Sequence, residues 1–296
     1  MTYKGNTSVY KVNNVQNYIT VIEALIDEGF AGGVIKNKLW YRGMYKADYK
    51  LLPNIFREYK NGSVESRYVD YENQINADFK RNAYPYFKNP PGDDDYKEWL
   101  NIIQHYGVPT RLLDWSENYL VALYFAVVDE NKTENKDATV WVLNPNIYNQ
   151  TVNSKESNTK RLHGDNYLYA FNKRKKDINM TEYPCLVFPK YLDNRMQAQL
   201  SRFLLWGEND KPLNEISEIG FNYYTKEMYE NCNNAIKSPK DWKNPLFKII
   251  INGEYKDKIR NQLDNCGINY HTLFPGLDSL GKTIKDKYTI GLDDIL

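Results

Sequence analysis

The segment Gln104-His105-Tyr106-Gly107-Val108-Pro109-Thr110-Arg111-Leu112-Leu113-Asp114-Trp115-Ser116 constrains the fold more than any other part of this chain. Gly107 and Pro109 break any helix running into it, and its apolar residues gather at the end, where a core has to cover them. It also carries His, Thr, Arg, Asp and Ser, and buried polar groups need hydrogen-bond partners. Two readings follow. In one, Arg111 and Asp114 form an internal ion pair that supports the turn, with His105 bonded to backbone. In the other, His105, Thr110 and Ser116 are the polar lining of a pocket.

Around this block the apolar spacing predicts alternating helices and short strands. Val15, Tyr18, Ile19, Ile22, Leu25 and Ile26 repeat at helical spacing, with Gly29 where a left-handed cap would end the helix. Leu39-Trp40-Tyr41 reads as a strand closed by Arg42-Gly43. Tyr68, Tyr71, Ile75 and Phe79 mark a second helix, and Trp99, Ile102 and Ile103 a third. Between them Asn89-Pro90-Pro91-Gly92 is a loop, and Asp93-Asp94-Asp95 a solvated helix start. Ser116 is expected to cap the helix through Leu120, Leu123, Tyr124 and Val127. Strands are expected at 138–143, 186–188, 204–206 and 246–251, the last followed by a charged helix to about Cys266. Residues 145–181 are rich in Asn, Lys and Ser with little periodicity, the pattern of a long loop or insertion. No repeat and no low-complexity linker divides the 296 residues, so one domain is expected.

Composition excludes several classes. Hydrophobic residues at 42% and aromatics at 15% supply a core, which rules out global disorder. The longest apolar run, Tyr119–Val128, falls short of the roughly 18 residues a spanning helix needs. The start Met-Thr-Tyr-Lys-Gly lacks a secretory h-region, so a cytoplasmic protein with no membrane partner is expected. Cys185, Cys232 and Cys266 are far apart, and the three histidines stand in no His-carboxylate cluster, so neither disulfides nor a metal are expected. Near-balanced charge, +1 overall, makes the basic run Lys173-Arg174-Lys175-Lys176 a solvated loop before it is a phosphate site. Gly276 to Thr283 matches the P-loop pattern, but no strand precedes it. Its apolar residues Leu277, Leu280 and Ile284 read as one face of a helix.

The stretch Trp40-Tyr41-Arg42-Gly43, the Gln104–Ser116 block and Ala122-Leu123-Tyr124-Phe125-Ala126 together resemble the FRG domain, named for a Phe-Arg-Gly signature in which Tyr41 here replaces Phe. Asn194-Arg195 through Gln199 to Phe203, and Gly267-Ile268 followed by Leu273–Asp278, agree with the same family, extending the resemblance over about residues 20–285. It implies a single α+β domain with a small mixed or antiparallel sheet flanked by helices.

The order of these pieces is also similar to ADP-ribosyltransferase-like folds: a strand ending in aromatic-Arg-Gly, a later strand ending in Ser, then an Ala-Gln-x-x-x-Phe segment. That similarity implies NAD as the nucleotide and ADP-ribosyl transfer or NAD cleavage as the reaction; a stress, toxin or phage-defence setting is what the FRG family is associated with. Arg42, Ser116, Gln199 and His105 would be the catalytic residues, and Tyr41, Arg42, Gly43, Thr110, Arg111 and Arg195 the nucleotide-binding ones. The guanidinium of Arg42 suits a phosphate. Gln199 stands where such enzymes carry a glutamate, and an amide stabilises a cation less than a carboxylate does. The acceptor would be a protein or nucleic acid. The competing readings are a non-catalytic nucleotide or nucleic-acid binding module built on Arg42, Arg111, Arg195 and aromatics, or a protein-interaction domain.

Overall fold

Ala138–Leu143 and Leu246–Ile251 are runs of β-branched and aromatic residues in which nearly every side chain is buried, the pattern of strands covered on both faces. They pair antiparallel over six residues, from Ala138↔Ile251 to Leu143↔Leu246, and form the centre of the protein. The computed structural model describes residues 9–27, 30, 39–59, 68–128, 136–155, 183–207, 210–233 and 244–289.

In chain order the elements are β1 (Lys11–Val12), α1 (Val15–Asp27), β2 (Trp40–Met44), α2 (Asn54–Tyr59), α3 (Tyr68–Ala83), α4 (Tyr96–His105), β3 (Leu112–Ser116), α5 (Tyr119–Val127), β4 (Ala138–Leu143) and α6 (Pro145–Lys155). There follow β5 (Cys185–Val187), α7 (Asn194–Ala198), β6 (Ser201–Leu205), β7 (Phe221–Tyr223), α8 (Lys226–Asn233), β8 (Leu246–Ile251), α9 (Lys256–Asn265), α10 (Tyr270–Leu273) and α11 (Leu277–Thr289). The eight strands make one mixed sheet in the order β1-β8-β4-β2-β3-β6-β5. β1 and β7 both pair parallel with β8, at its two ends, and the other pairings are antiparallel. The α+β architecture is the expected one, with a larger sheet than the small one anticipated.

Alternation along β2 shows how the sheet is covered. Tyr41 joins the core under α1, α5 and α9, with Val121, Leu123, Val140, Val142, Ile249 and Ile259. Trp40 and Met44 point the other way, into a core with Leu51, Ile55, Phe56, Trp141, Tyr148 and Trp206. A third, smaller cluster joins α4 and α7 to β3 and β6 through Leu100, Leu112, Met196 and Phe203. Helix α5, apolar on all sides, lies directly on β2, where Gly43 presents no side chain to it.

Several local expectations change. Residues 145–155 form α6 and are not loop, with Asn144 Oδ1 accepting the amides of Asn146 and Ile147 at the helix start. The rest of the 145–181 stretch, the basic run at 173–176 and Gly29 lie outside the described residues. Asn118, not Ser116, caps α5, its Oδ1 accepting the Leu120 and Val121 amides. Asp95 caps α4 as the acidic run suggested, accepting the Glu98 amide. The P-loop-like stretch lies in α11 and the turn before it, preceded by helix α10 where a P-loop needs a strand. No described helix is long and apolar enough to cross a membrane.

Candidate functional site

Neighbouring strands β2 and β4 share five registered pairs, and β3 and β6 another five, but β2 and β3 share only Tyr41↔Ser116. Beyond that pair no residue of β2 is registered with one of β3, which leaves an opening in the hydrogen-bonded ladder in the middle of the sheet. Directly paired residues point to the same face, so Ser116 lies on the Tyr41 side and Arg42 on the side of Trp40. Arg42 and Ser116 therefore leave the sheet on opposite faces, although their strands are adjacent.

Arg42 reaches into this opening. Its Nη1 donates to the Asp114 carbonyl oxygen at 2.5 Å and lies 3.8 Å from Asp114 Oδ2. Its Nε is buried without a hydrogen-bond partner among the described residues. Burial pushes the guanidinium pKa down to about 10; Asp114 opposes that shift and the nearby Arg57 cation adds to it. Arg57 itself spends Nη2 on the Lys50 carbonyl. A cation held this way remains charged at neutral pH but is only partly compensated, because the Asp114 side chain is 56% exposed and screened by water.

The Gln104–Ser116 block divides into four sets of contacts. Leu112 N–H donates to Thr110 Oγ1, the Thr110 hydroxyl donates to Gln104 Oε1, and Gln104 Nε2 donates to Asp114 Oδ2 at 2.9 Å. This relay fixes the Gln104 amide so that its NH2 faces the carboxylate. His105 Nε2 meets Asp193 Oδ2 at 2.7 Å, and Asp193 also caps α7 by accepting the Met196 amide. Arg111 turns away from Asp114 to the buried carboxylate of Glu72, with Nε 2.8 Å from both oxygens, and its Nη1 donates to the Trp206 and Gly207 carbonyls. Ser116 Oγ donates to the Gln199 carbonyl at 2.7 Å and accepts the Asn118 amide.

The expected Arg111–Asp114 pair is thus replaced by Arg111–Glu72. Both side chains of the actual pair are under 5% exposed, so Arg111 is a core group and not part of an accessible nucleotide surface. Gly43 also has a packing role, since a β-carbon there would stand 1.8 Å from the Ala122 carbonyl oxygen. Tyr41 is buried at 3% exposure, packed edge-on against Tyr119. Thr110 is buried at 1% and acts through Gln104. Gln199 donates from Nε2 to the Leu273 carbonyl, and Arg195 stacks 4.6 Å over Phe274. The structure brings Arg42, Asp114 and Gln104 together, and Ser116 with the Gln199 backbone. His105, Asp193 and Arg195 form a further group, since both charged residues act on the imidazole. Burial lowers the His105 pKa, Asp193 raises it and Arg195 lowers it.

Asp114 and Gln104 were missed as site residues. The signal was present in the Gln-x-x-x-x-x-Thr spacing of the block, but only the fold shows that the glutamine amide is oriented onto the carboxylate. Among the described residues no group of three or more His, Cys, Asp or Glu is arranged to hold a metal ion. Cys266 is a free thiol.

Residues 37–135 match the family model of the FRG domain. The matched segment includes β2, the Gln104–Ser116 block and α5, which together build the opening and its contacts. No curated protein and no solved structure matches the chain.

Proposed function

We propose that the β2–β3 opening binds a phosphate-bearing nucleotide through Arg42, that the nucleotide is NAD, and that the reaction is ADP-ribosyl transfer or NAD cleavage. The observation that carries this reading is the state of Arg42: a guanidinium largely out of water, with Nε unpaired among the described residues, a second arginine nearby and the half-exposed Asp114 carboxylate as its counter-charge there. Uncompensated buried charge is unfavourable, and a phosphate would complete its hydrogen bonds with charge-assisted ones. NAD as the particular nucleotide comes from the similarity to ADP-ribosyltransferase-like folds, and the stress, toxin or phage-defence setting from the association with the FRG family.

The test is nicotinamide release from NAD, with and without cell extract as a source of acceptor, by the parent protein and Arg42→Ala. Loss of a charge-assisted bond pair is expected to cost about 2–4 kcal/mol, or about 30- to 1000-fold in turnover. A parent protein that neither binds NAD nor releases nicotinamide overturns the reading.

A second reading rests on a different surface. Arg202 lies 5.1 Å over the Phe188 ring and 5.9 Å over that of Tyr191, both partly exposed, and Arg195 covers Phe274. Arginine–aromatic pairs of this kind stack nucleobases, which supports a nucleic-acid binding module. Affinity for single-stranded RNA or DNA that falls steeply with salt would favour it.

A further inference from the structure

We infer that Asp114 is the catalytic carboxylate of the β2–β3 opening, stabilising positive charge at the ribose carbon of NAD and accepting the proton of the attacking water. This rests on the NAD reading above and names the acid that Gln199, in the glutamate position, does not supply.

The other carboxylates around the site are spent. Glu72 is buried against Arg111, Glu117 is held by Arg202 at 2.7 Å, and Asp193 is shared between His105 and the α7 amide. Asp114 alone of these meets the Arg42 side chain while staying open to a ligand, with its side chain 56% exposed. One of its oxygens, Oδ2, is fixed by Gln104. The other, Oδ1, has no hydrogen bond among the described residues. Three successive donors hold this arrangement, from the Leu112 amide through Thr110 and Gln104, and the middle one is 1% exposed. A carboxylate with one oxygen oriented and the other free is placed to act rather than only to support. The Arg42 guanidinium lies 3.8 Å from Oδ2, on the oxygen that Gln104 fixes.

The chemistry balances. The bond between ribose C1′ and the nicotinamide nitrogen breaks, and its electron pair leaves on nicotinamide, which departs neutral. Positive charge develops at C1′ opposite the Asp114 anion. A water oxygen bonds to C1′ and its proton passes to Asp114 and then to solvent, so NAD and water yield nicotinamide, ADP-ribose and one proton. In transfer, an acceptor nucleophile takes the place of water.

The experiment measures NAD binding by calorimetry and nicotinamide release across pH for the parent, Arg42→Ala, Asp114→Asn and Gln104→Glu. Asparagine keeps an oxygen for the Gln104 amide and removes only the charge. Asp114→Asn is therefore expected to bind NAD within about threefold of the parent and to lose turnover by on the order of 10²–10⁴-fold. Arg42→Ala is expected to lose binding. Gln104→Glu sets a like charge beside Asp114, which disfavours its ionisation, so the acid limb of the pH–rate profile should move to higher pH. A purely structural aspartate would leave that limb in place. Parental turnover by Asp114→Asn, or an acid limb unmoved by Gln104→Glu, overturns this assignment and leaves the NAD reading intact. A parent without binding or turnover removes both.

Discussion

A β-carbon on Gly43 would stand 1.8 Å from the carbonyl oxygen of Ala122 and 2.6 Å from the amide nitrogen of Ala126. Helix α5 lies so close on β2 that only glycine fits between them, and both neighbours are backbone atoms that cannot swing aside. The glycine of the Arg-Gly pair thus sets the distance between helix and sheet. Arg42 next to it points into the other face, and the close approach of α5 fixes the strand from which it reaches Asp114.

Gly43→Ala should therefore be strongly destabilising. Room for the methyl group requires α5 to shift away from β2, and α5 carries Val121, Ala122, Leu123, Ala126 and Val127 of the main core. A loss of more than about 3 kcal/mol is expected, in the range of severe overpacking. Urea denaturation of the parent and variant checks it; a loss under about 1 kcal/mol would mean that the helix is free to move.

The Arg111–Glu72 pair makes a different prediction. Each partner sits at 4% exposure or less, and Arg111 further ties the carbonyls of Trp206 and Gly207. Glu72→Ala leaves the guanidinium buried without its counter-ion, which is expected to cost about 3–5 kcal/mol. Replacing both residues by apolar ones, as in Glu72→Leu with Arg111→Met, should recover a large part of that loss, although the two carbonyls lose their donor. If Glu72→Ala proves neutral in thermal unfolding, the pair contributes nothing to the fold.

These two sites show where the sequence was readable. Strands β4 and β8 and helices α1 and α9 followed from local apolar spacing, because the period of buried positions is written along each segment. The partners of the polar block were not. Glu72 lies 39 residues before Arg111, on a helix whose apolar stripe was read correctly without indicating that one of its acids faces inward. Strands β1 and β7, of two and three residues, are too short to show any alternation. For Gly43 the Arg-Gly pair marked the place, but its close contact with α5 depends on a helix almost 80 residues further on.

His105 gives the pH dependence. Burial lowers its pKa despite the Asp193 carboxylate, so the folded protein holds a neutral imidazole that donates Nε2–H to Asp193. A group whose folded pKa lies below its unfolded value adds stability above the unfolded value, near 6.5, and loses it as pH falls through the folded one. Unfolding free energy should therefore drop between about pH 7 and pH 5 by more in the parent than in His105→Gln, which keeps a donor for Asp193 without titrating. Equal pH slopes for the two proteins in urea denaturation would remove His105 as the cause.

Gln199 carries the last prediction. Its side-chain amide donates to the Leu273 carbonyl at 3.0 Å, linking the end of α7 to α10, while its backbone carbonyl accepts the Ser116 hydroxyl. The next residue, Leu200, is held at φ +45°, a left-handed conformation that a branched side chain adopts only when its surroundings impose it. The Ser116 bond and the Glu117 amide donating to the Leu200 carbonyl are what impose it here. Gln199→Glu would set a carboxylate against the Leu273 carbonyl with no proton to share, so it should destabilise by about 1–3 kcal/mol instead of supplying a useful acid. Ser116→Ala releases the same turn and should lower the melting temperature. If these residues serve the turn, nicotinamide release per folded molecule stays at the parental level in both variants; a tenfold loss in well-folded Ser116→Ala, or a gain in Gln199→Glu, would return them to the reacting centre and displace Asp114.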